Sequence, residues 1–399
     1  MFNWDKSHFG YYSVGDYRTF SKLESIEIAT KTNQTVQWHF NDEVYSSQDW
    51  SREPTESILD LYMERARQLR SKYEYLVMFY TGGSDSYNML MSFKNARVKI
   101  DEICCLTYYQ GDGGDRDSAM NKEIYESALP TAHHLKNNDP LFADTKITDL
   151  DITELSLNLF KRLSPMDYWY MANSSPSPWC LAKSYIREHV PYFAQLVANK
   201  KTAFVWGREK PQYLMFGQGK FVFRFQDQVD GEVTPRTQYL NKPEEHDEFF
   251  YFTPDLPKIT IKQVHLIKNF FVGTKGYHEH LELENRQSYR AIGNFPLLSF
   301  HRSQQAWLTD VGLNKLIYPW YDNNLYSQPK PSNIILTPRD NWMAKYPEII
   351  DPFLMPYNGI LQNLGENWVT KHLTPWGEKR LTTRKFFSKD YKIPLRPAG

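Results

Sequence analysis

The segment with the clearest chemistry is Thr81-Gly82-Gly83-Ser84-Asp85-Ser86. Two adjacent glycines let a backbone turn tightly and bring amide N–H groups close to a ligand. Thr81, Ser84 and Ser86 add hydroxyls. Asp85 adds a carboxylate of the kind that holds Mg²⁺. An apolar run, Tyr75 to Tyr80, ends abruptly at this segment, and a second apolar-periodic run, Tyr87 to Phe93, begins at once. That order is strand, glycine turn, helix. It sets a helix N-terminus, with its partial positive charge and unpaired donors, beside the turn. Such an element suits a polyphosphate; the plainer reading is a glycine turn between a strand and a helix of any α/β protein.

The six residues resemble the Ser-Gly-Gly-x-Asp-Ser fingerprint of the PP-loop ATP pyrophosphatases. Gly82, Gly83, Asp85 and Ser86 match it, and Thr81 keeps a hydroxyl where that family usually has serine. No Gly-Lys-Ser/Thr follows the glycines, so this is not a Walker P-loop. The resemblance spans residues 70 to 230. The segment Phe252 to Pro257 and the N-terminal region resemble uncharacterised phage proteins carrying the same loop. The resemblance implies a parallel, doubly wound Rossmann-like sheet, with ATP and Mg²⁺ as cofactors. It also implies cleavage of ATP between its α and β phosphates to adenylate an acceptor oxygen. On that reading Thr81, Gly82, Gly83, Ser84, Asp85 and Ser86 bind the nucleotide, and Asp85 is both metal ligand and catalytic residue.

Two further turns enter by the same resemblance. Gly207-Arg208-Glu209-Lys210-Pro211 follows a fourth strand, where several such enzymes bring a glycine turn to the nucleotide. Arg208 and Lys210 would there stabilise the departing pyrophosphate as preorganised cations. A solvated charged turn explains them equally well. Thr107 and Tyr108 end the second strand, beside the expected adenine; ordinary strand termination is the competing reading. Arg116 and Lys122, at the edge of the glycine-rich stretch 110–116, could reach phosphate or an acidic substrate, with a plain surface loop the favoured reading.

The pattern of elements supports the position of the turn independently of any family. Strands are expected at Leu76–Tyr80, Glu102–Thr107, Thr145–Ile152 and Ala203–Trp206, and helices at Glu53–Lys72, Ser86–Phe93, Asn121–Leu129, Ala132–Leu135 and Cys180–Ala198. Alternation of this kind builds a parallel sheet. Ligands of such sheets sit beyond the strand C-termini, near the point where strand order reverses. The division expected is a β-rich N-terminal extension over 1–55, the α/β domain over 56–235, and a mostly helical, loop-rich C-terminal unit over 236–399. A helix is expected over 258–272 and an aromatic lid over Pro165–Pro178.

Composition narrows the classes. Lys+Arg and Asp+Glu both number 47, so no basic excess points to nucleic acid. Three cysteines, Cys104, Cys105 and Cys180, suit a reducing compartment, and the expectation is a cytoplasmic protein, in the host cytoplasm if phage-encoded. No apolar stretch has the length of a membrane span. Cys104 and Cys105 are neighbours on a strand and so face opposite ways. That argues for core filling rather than sulfur chemistry. His133-His134 and His278-Glu279-His280 read as solvated histidines. Position 2 is Phe, so the N-terminal cysteine of asparagine-synthetase-like glutaminases is absent. The leading expectation is an AMP-forming ligase making an amide or amidine on a small-molecule acceptor. Its nitrogen would come from ammonia, an amine or a separate amidotransferase. A non-catalytic nucleotide sensor and a nucleic-acid-modifying enzyme are the alternatives, and the Trp- and Tyr-rich tail is compatible with a homodimer.

Overall fold

The computed structural model describes residues 10–19, 22–107, 121, 123–155, 158, 186–187, 190–207, 213–217, 220–225, 227, 247–273, 316–321, 373–375, 381–383 and 386–394. Strands β1 (Tyr11–Val14) and β2 (Tyr17–Thr19), helix α1 (Lys22–Thr32), strand β3 (Gln37–His39) and helix α2 (Asp42–Ser46) come first. The three strands form an antiparallel sheet in the order β2-β1-β3. Its β character was expected; α1 was not.

Helix α3 (Ile58–Lys72) starts where the Ser57 hydroxyl accepts the Asp60 N–H at 3.1 Å. Ile58, Leu61, Tyr62, Arg65, Ala66 and Leu69 recur at helical spacing and are all buried. Then come β4 (Tyr75–Phe79), α4 (Ser84–Asn95), β5 (Glu102–Thr107), a π-helical turn (Ile124–Ala128) running into α5 (Leu129–Asn138), and β6 (Lys146–Asp151). Next are α6 (Pro191–Asn199), β7 (Thr202–Trp206), β8 (Tyr213–Gly217), β9 (Lys220–Arg224), β10 (Asp247–Phe249) and α7 (Lys258–Gly273). A two-stranded ribbon, β11 (Leu373–Pro375) with β12 (Leu381–Thr383), and a last strand, β13 (Tyr391–Pro394), complete the described elements.

Five strands make one parallel sheet in the order β10-β7-β4-β5-β6. The chain moves outward from β4 through β5 to β6, then returns to the other flank of β4 with β7 and β10. Successive residues of β4 face opposite ways. Leu76 and Met78 join Ile103, Cys105, Ala203 and Val205 in a core under α3, α4, α5 and α7. Phe79 lies on the other face, stacked on Trp206 at 3.8 Å, and Phe193 of α6 meets Phe204 there edge-on at 5.3 Å. Helices therefore cover both faces, and the sheet is doubly wound. Reversing direction while keeping right-handed crossovers requires this change of face.

The packing crosses the boundaries expected at 55 and 235. β10, in the stretch read as C-terminal unit, supplies the fifth strand by pairing with β7. Its three residues, Asp-Glu-Phe, hold no apolar run to announce a strand. β13 pairs antiparallel with β9, Tyr391 opposite Phe223. Trp50 of the N-terminal stretch stacks on Tyr391 at 4.5 Å and on Phe223 at 5.4 Å. Aromatic burial ties three distant stretches together here. The described residues from 373 on are strands and connections, and most of the stretch expected to be helical lies outside the described residues. The expected lid, Cys180 and His278-Glu279-His280 lie outside the described residues. Among the described residues no helix is long and apolar enough to cross a membrane.

Candidate functional site at the end of the central strand

β4 is the central strand, and its ladder runs one residue past the strand, with the Tyr80 N–H on the Cys104 carbonyl at 2.9 Å. Thr81 then opens the turn. Gly82 has φ +81, the left-handed region that disfavours any side chain. Gly83 caps α4, and its carbonyl accepts the Tyr87 N–H at 2.8 Å and the Ser86 hydroxyl at 3.2 Å. The Ser86 hydroxyl also lies 3.1 Å from that of Thr81 and accepts the Thr81 N–H at 3.3 Å. Ser86 is buried and ties both ends of the turn together, Thr81 is exposed, and Ser84 and Asp85 are half-buried. The first-turn amides of α4 have no carbonyl a turn earlier to bind.

Tyr251, just after β10, braces this helix start. Its hydroxyl donates to the Asp85 carbonyl at 2.7 Å and accepts from the Asn88 amide at 3.2 Å. Burial pushes the phenol well above its ordinary value, so it stays a neutral donor. Sequence reasoning missed Tyr251. The nearest signal was the run Phe252 to Pro257 directly after it.

β7 ends against the same helix. A β-carbon on Gly207 would stand 3.1 Å from Ser86 Cα and 3.3 Å from Ser86 N. A side chain there would force Ser86 or Met89 to give way slightly, and Gly207 meets the Thr81–Ser86 turn where strand order reverses between β4 and β7. Thr107 sits one strand away on the same rim. Its hydroxyl donates to Asp149 at 2.7 Å and its carbonyl accepts the Ile152 N–H at 3.0 Å. Both of these bonds run to the β6 side. Arg208, Lys210, Tyr108, Arg116 and Lys122 lie outside the described residues.

The second wall of the site was not expected. The π turn before α5 lies against both glycines. A β-carbon on Gly82 would be 2.9 Å from Ser127 Oγ and 3.0 Å from Ala128 N. One on Gly83 would be 3.3 Å from both Asp85 Oδ1 and Glu123 Oε1, and 3.5 Å from Thr81 Oγ1. Two carboxylates and a hydroxyl thus crowd one point beside the turn. Hard oxygen donors of this kind fit Mg²⁺. Among the described residues no group of three or more His, Cys, Asp or Glu side chains forms a metal-binding cluster.

Cys104 and Cys105 are core residues of β5. Cys105 lies in the core under α4 and Cys104 on the opposite face, both fully buried. Burial pushes the Cys105 thiol up to about 12 and Cys104 well above its ordinary value. His133 and His134 are exposed on α5. Comparisons of this chain with protein-family models, with curated proteins and with solved structures find no match.

Proposed function

We propose that this chain binds ATP on the Thr81–Ser86 turn and is an ATP pyrophosphatase-type ligase of the PP-loop class. The observation that carries the reading is the left-handed glycine turn at the C-terminal end of the central strand, at the reversal point of a doubly wound sheet, with Gly207 pressed on it. The amides of the turn and of the first turn of α4 would hold the β and γ phosphates, the Gly83 N–H exchanging its long contact to the Thr81 hydroxyl, at 3.5 Å, for the ligand. Tyr251 and Ser86 fix those donors before the ligand arrives, so little reorganisation opposes binding. Asp85 would hold Mg²⁺, with Glu123 beside it, and the ion would neutralise phosphate charge.

An acceptor oxygen then attacks the α phosphorus. The bond from that phosphorus to the bridging oxygen breaks, and pyrophosphate leaves with the electron pair. Ammonia or an amine displaces AMP from the activated acceptor, forming a C–N bond. This is chemistry of positioning and charge, which the turn suits.

The test is pyrophosphate release from ATP and Mg²⁺ with a pool of small metabolites, beside calorimetric titration of ATP. Acceptor-dependent release that disappears in Asp85→Ala is the expected result. Tight ATP uptake without release would instead make the chain a nucleotide sensor or assembly subunit. An absence of binding heat would end the nucleotide reading.

A further inference from the structure

Ser127 lies in the middle of the second wall and is 2 % exposed, yet its hydroxyl has no hydrogen-bond partner among the described residues. It is the buried polar atom nearest the missing β-carbon of Gly82, at 2.9 Å. The segment that carries it, Ile124–Ala128, is π-helical. Such turns are rare, poorer in energy than an α-helix, and frequent at functional sites. A buried hydroxyl left without a partner destabilises the state that leaves it so.

We propose, resting on the nucleotide reading above, that Ser127 is a positioning residue for the phosphate turn: when a polyphosphate engages the glycine amides, the Gly82 peptide shifts and Ser127 Oγ gains its hydrogen bond to that backbone. The free state lacks this bond and the bound state has it, so Ser127 adds to affinity without touching the ligand. A difference of that kind between two states is what lets a ligand shift one to the other. Gly82 is suited to the movement, because a glycine passes between positive and negative φ at little cost. The π turn holds the hydroxyl in place, with Ala128 N 3.0 Å from the same missing β-carbon.

The experiment compares the full chain with Ser127→Ala and with the nearly isosteric Ser127→Cys, whose thiol is a weak donor. Each is titrated calorimetrically with Mg·ATP and, separately, with inorganic pyrophosphate, and each is melted without ligand. Both variants should bind both probes about tenfold more weakly, one hydrogen bond's worth at 1.4 kcal/mol per decade. Their unliganded melting temperatures should be unchanged or higher, since an unsatisfied polar group has been removed. Equal affinity in wild type and variants overturns the role of Ser127 and leaves the nucleotide reading standing. Lower affinity in step with a lower melting temperature makes Ser127 a packing residue and also overturns it. A wild-type chain that takes up neither probe removes both proposals together.

Discussion

Two polar regions flank the same sheet, and they are finished differently. Behind α3, the Arg65 guanidinium, 1 % exposed, reaches Glu248 at 2.7 Å, Asp255 at 3.4 Å and the Phe249 carbonyl at 2.9 Å. Glu248 also accepts from Lys72 and from the Tyr73 hydroxyl, each at 2.6 Å. Of all these groups only Arg65 Nε lacks a partner. At the glycine turn one group is left over: the Ser127 hydroxyl, buried beside Gly82, has no hydrogen-bond partner among the described residues. The Arg65 cluster is complete and locks β10 and α3 together. The glycine turn keeps one buried hydroxyl without a bond. A buried charge pair by itself therefore says little about function, whereas an unsatisfied hydroxyl buried against a glycine turn says more.

The contrast breaks most sharply at Arg65. Arg65→Ala leaves Glu248 buried without its main counter-charge and should cost about 3–5 kcal/mol of unfolding free energy. Denaturant titration measures this, and a loss under 1 kcal/mol would show that the cluster is not what holds β10.

Acidity tests the same cluster from outside. Burial alone would raise the Glu248 carboxyl, but the Arg65 charge and the Lys72 and Tyr73 hydrogen bonds outweigh it and hold it down to about 2, against an ordinary 4.5. The folded value is depressed, so the stabilisation is fully present above pH 4.5 and is lost as pH falls toward 2. It is worth on the order of 3 kcal/mol. Wild-type stability should fall across that window by more than that of Glu248→Gln, and parallel curves would contradict the assignment.

The turn itself should be the gentlest to stability. Gly82→Ala forces a β-carbon into the left-handed region, costing roughly 1–2 kcal/mol, and sets it against Ser127. Gly207→Ala pushes β7 from the Ser86 backbone. Both should abolish nucleotide binding heat while leaving a cooperative melt. Retained binding in both would show that close approach at the turn is irrelevant to the ligand.

Much of this arrangement could be read from residue order, and the exceptions have physical causes. The strands of the sheet centre announced themselves because both faces are covered, which demands continuous apolar runs such as Leu76-Val77-Met78-Phe79. β10 escaped notice because Asp247 and Glu248 are buried only through their partners, Arg187 with Trp206 and Arg65 with Lys72, which lie far away in sequence. α1 escaped because its apolar residues, Leu23, Ile26, Ile28 and Ala29, include the alternation Ile26-Glu27-Ile28, which blurs the helical spacing. The sequence divided this stretch into helices Asn121–Leu129 and Ala132–Leu135, yet the chain runs helically through Pro130 between them. The π turn before it replaces the backbone geometry with which a proline would clash. The same wide turn brings Ser127 and Glu123 to the glycines, so the second wall was hidden for the same reason as the unbroken helix. The glycine turn and Gly207 were recognisable because their requirement is local: a bend without side chains.

The pairing of β13 with β9 sets an order on biosynthesis. Residues 391–394 are the partners of residues 220–223, so the antiparallel sheet and its ring cluster stay open until the ribosome has made everything between them. The five-stranded sheet needs nothing later than Phe249 and is free to assemble earlier on the nascent chain. Pairings of such long separation are slow to close. During that interval Trp50, Phe223 and Phe225 wait without the ring of Tyr391 and are exposed to chaperones or to wrong partners.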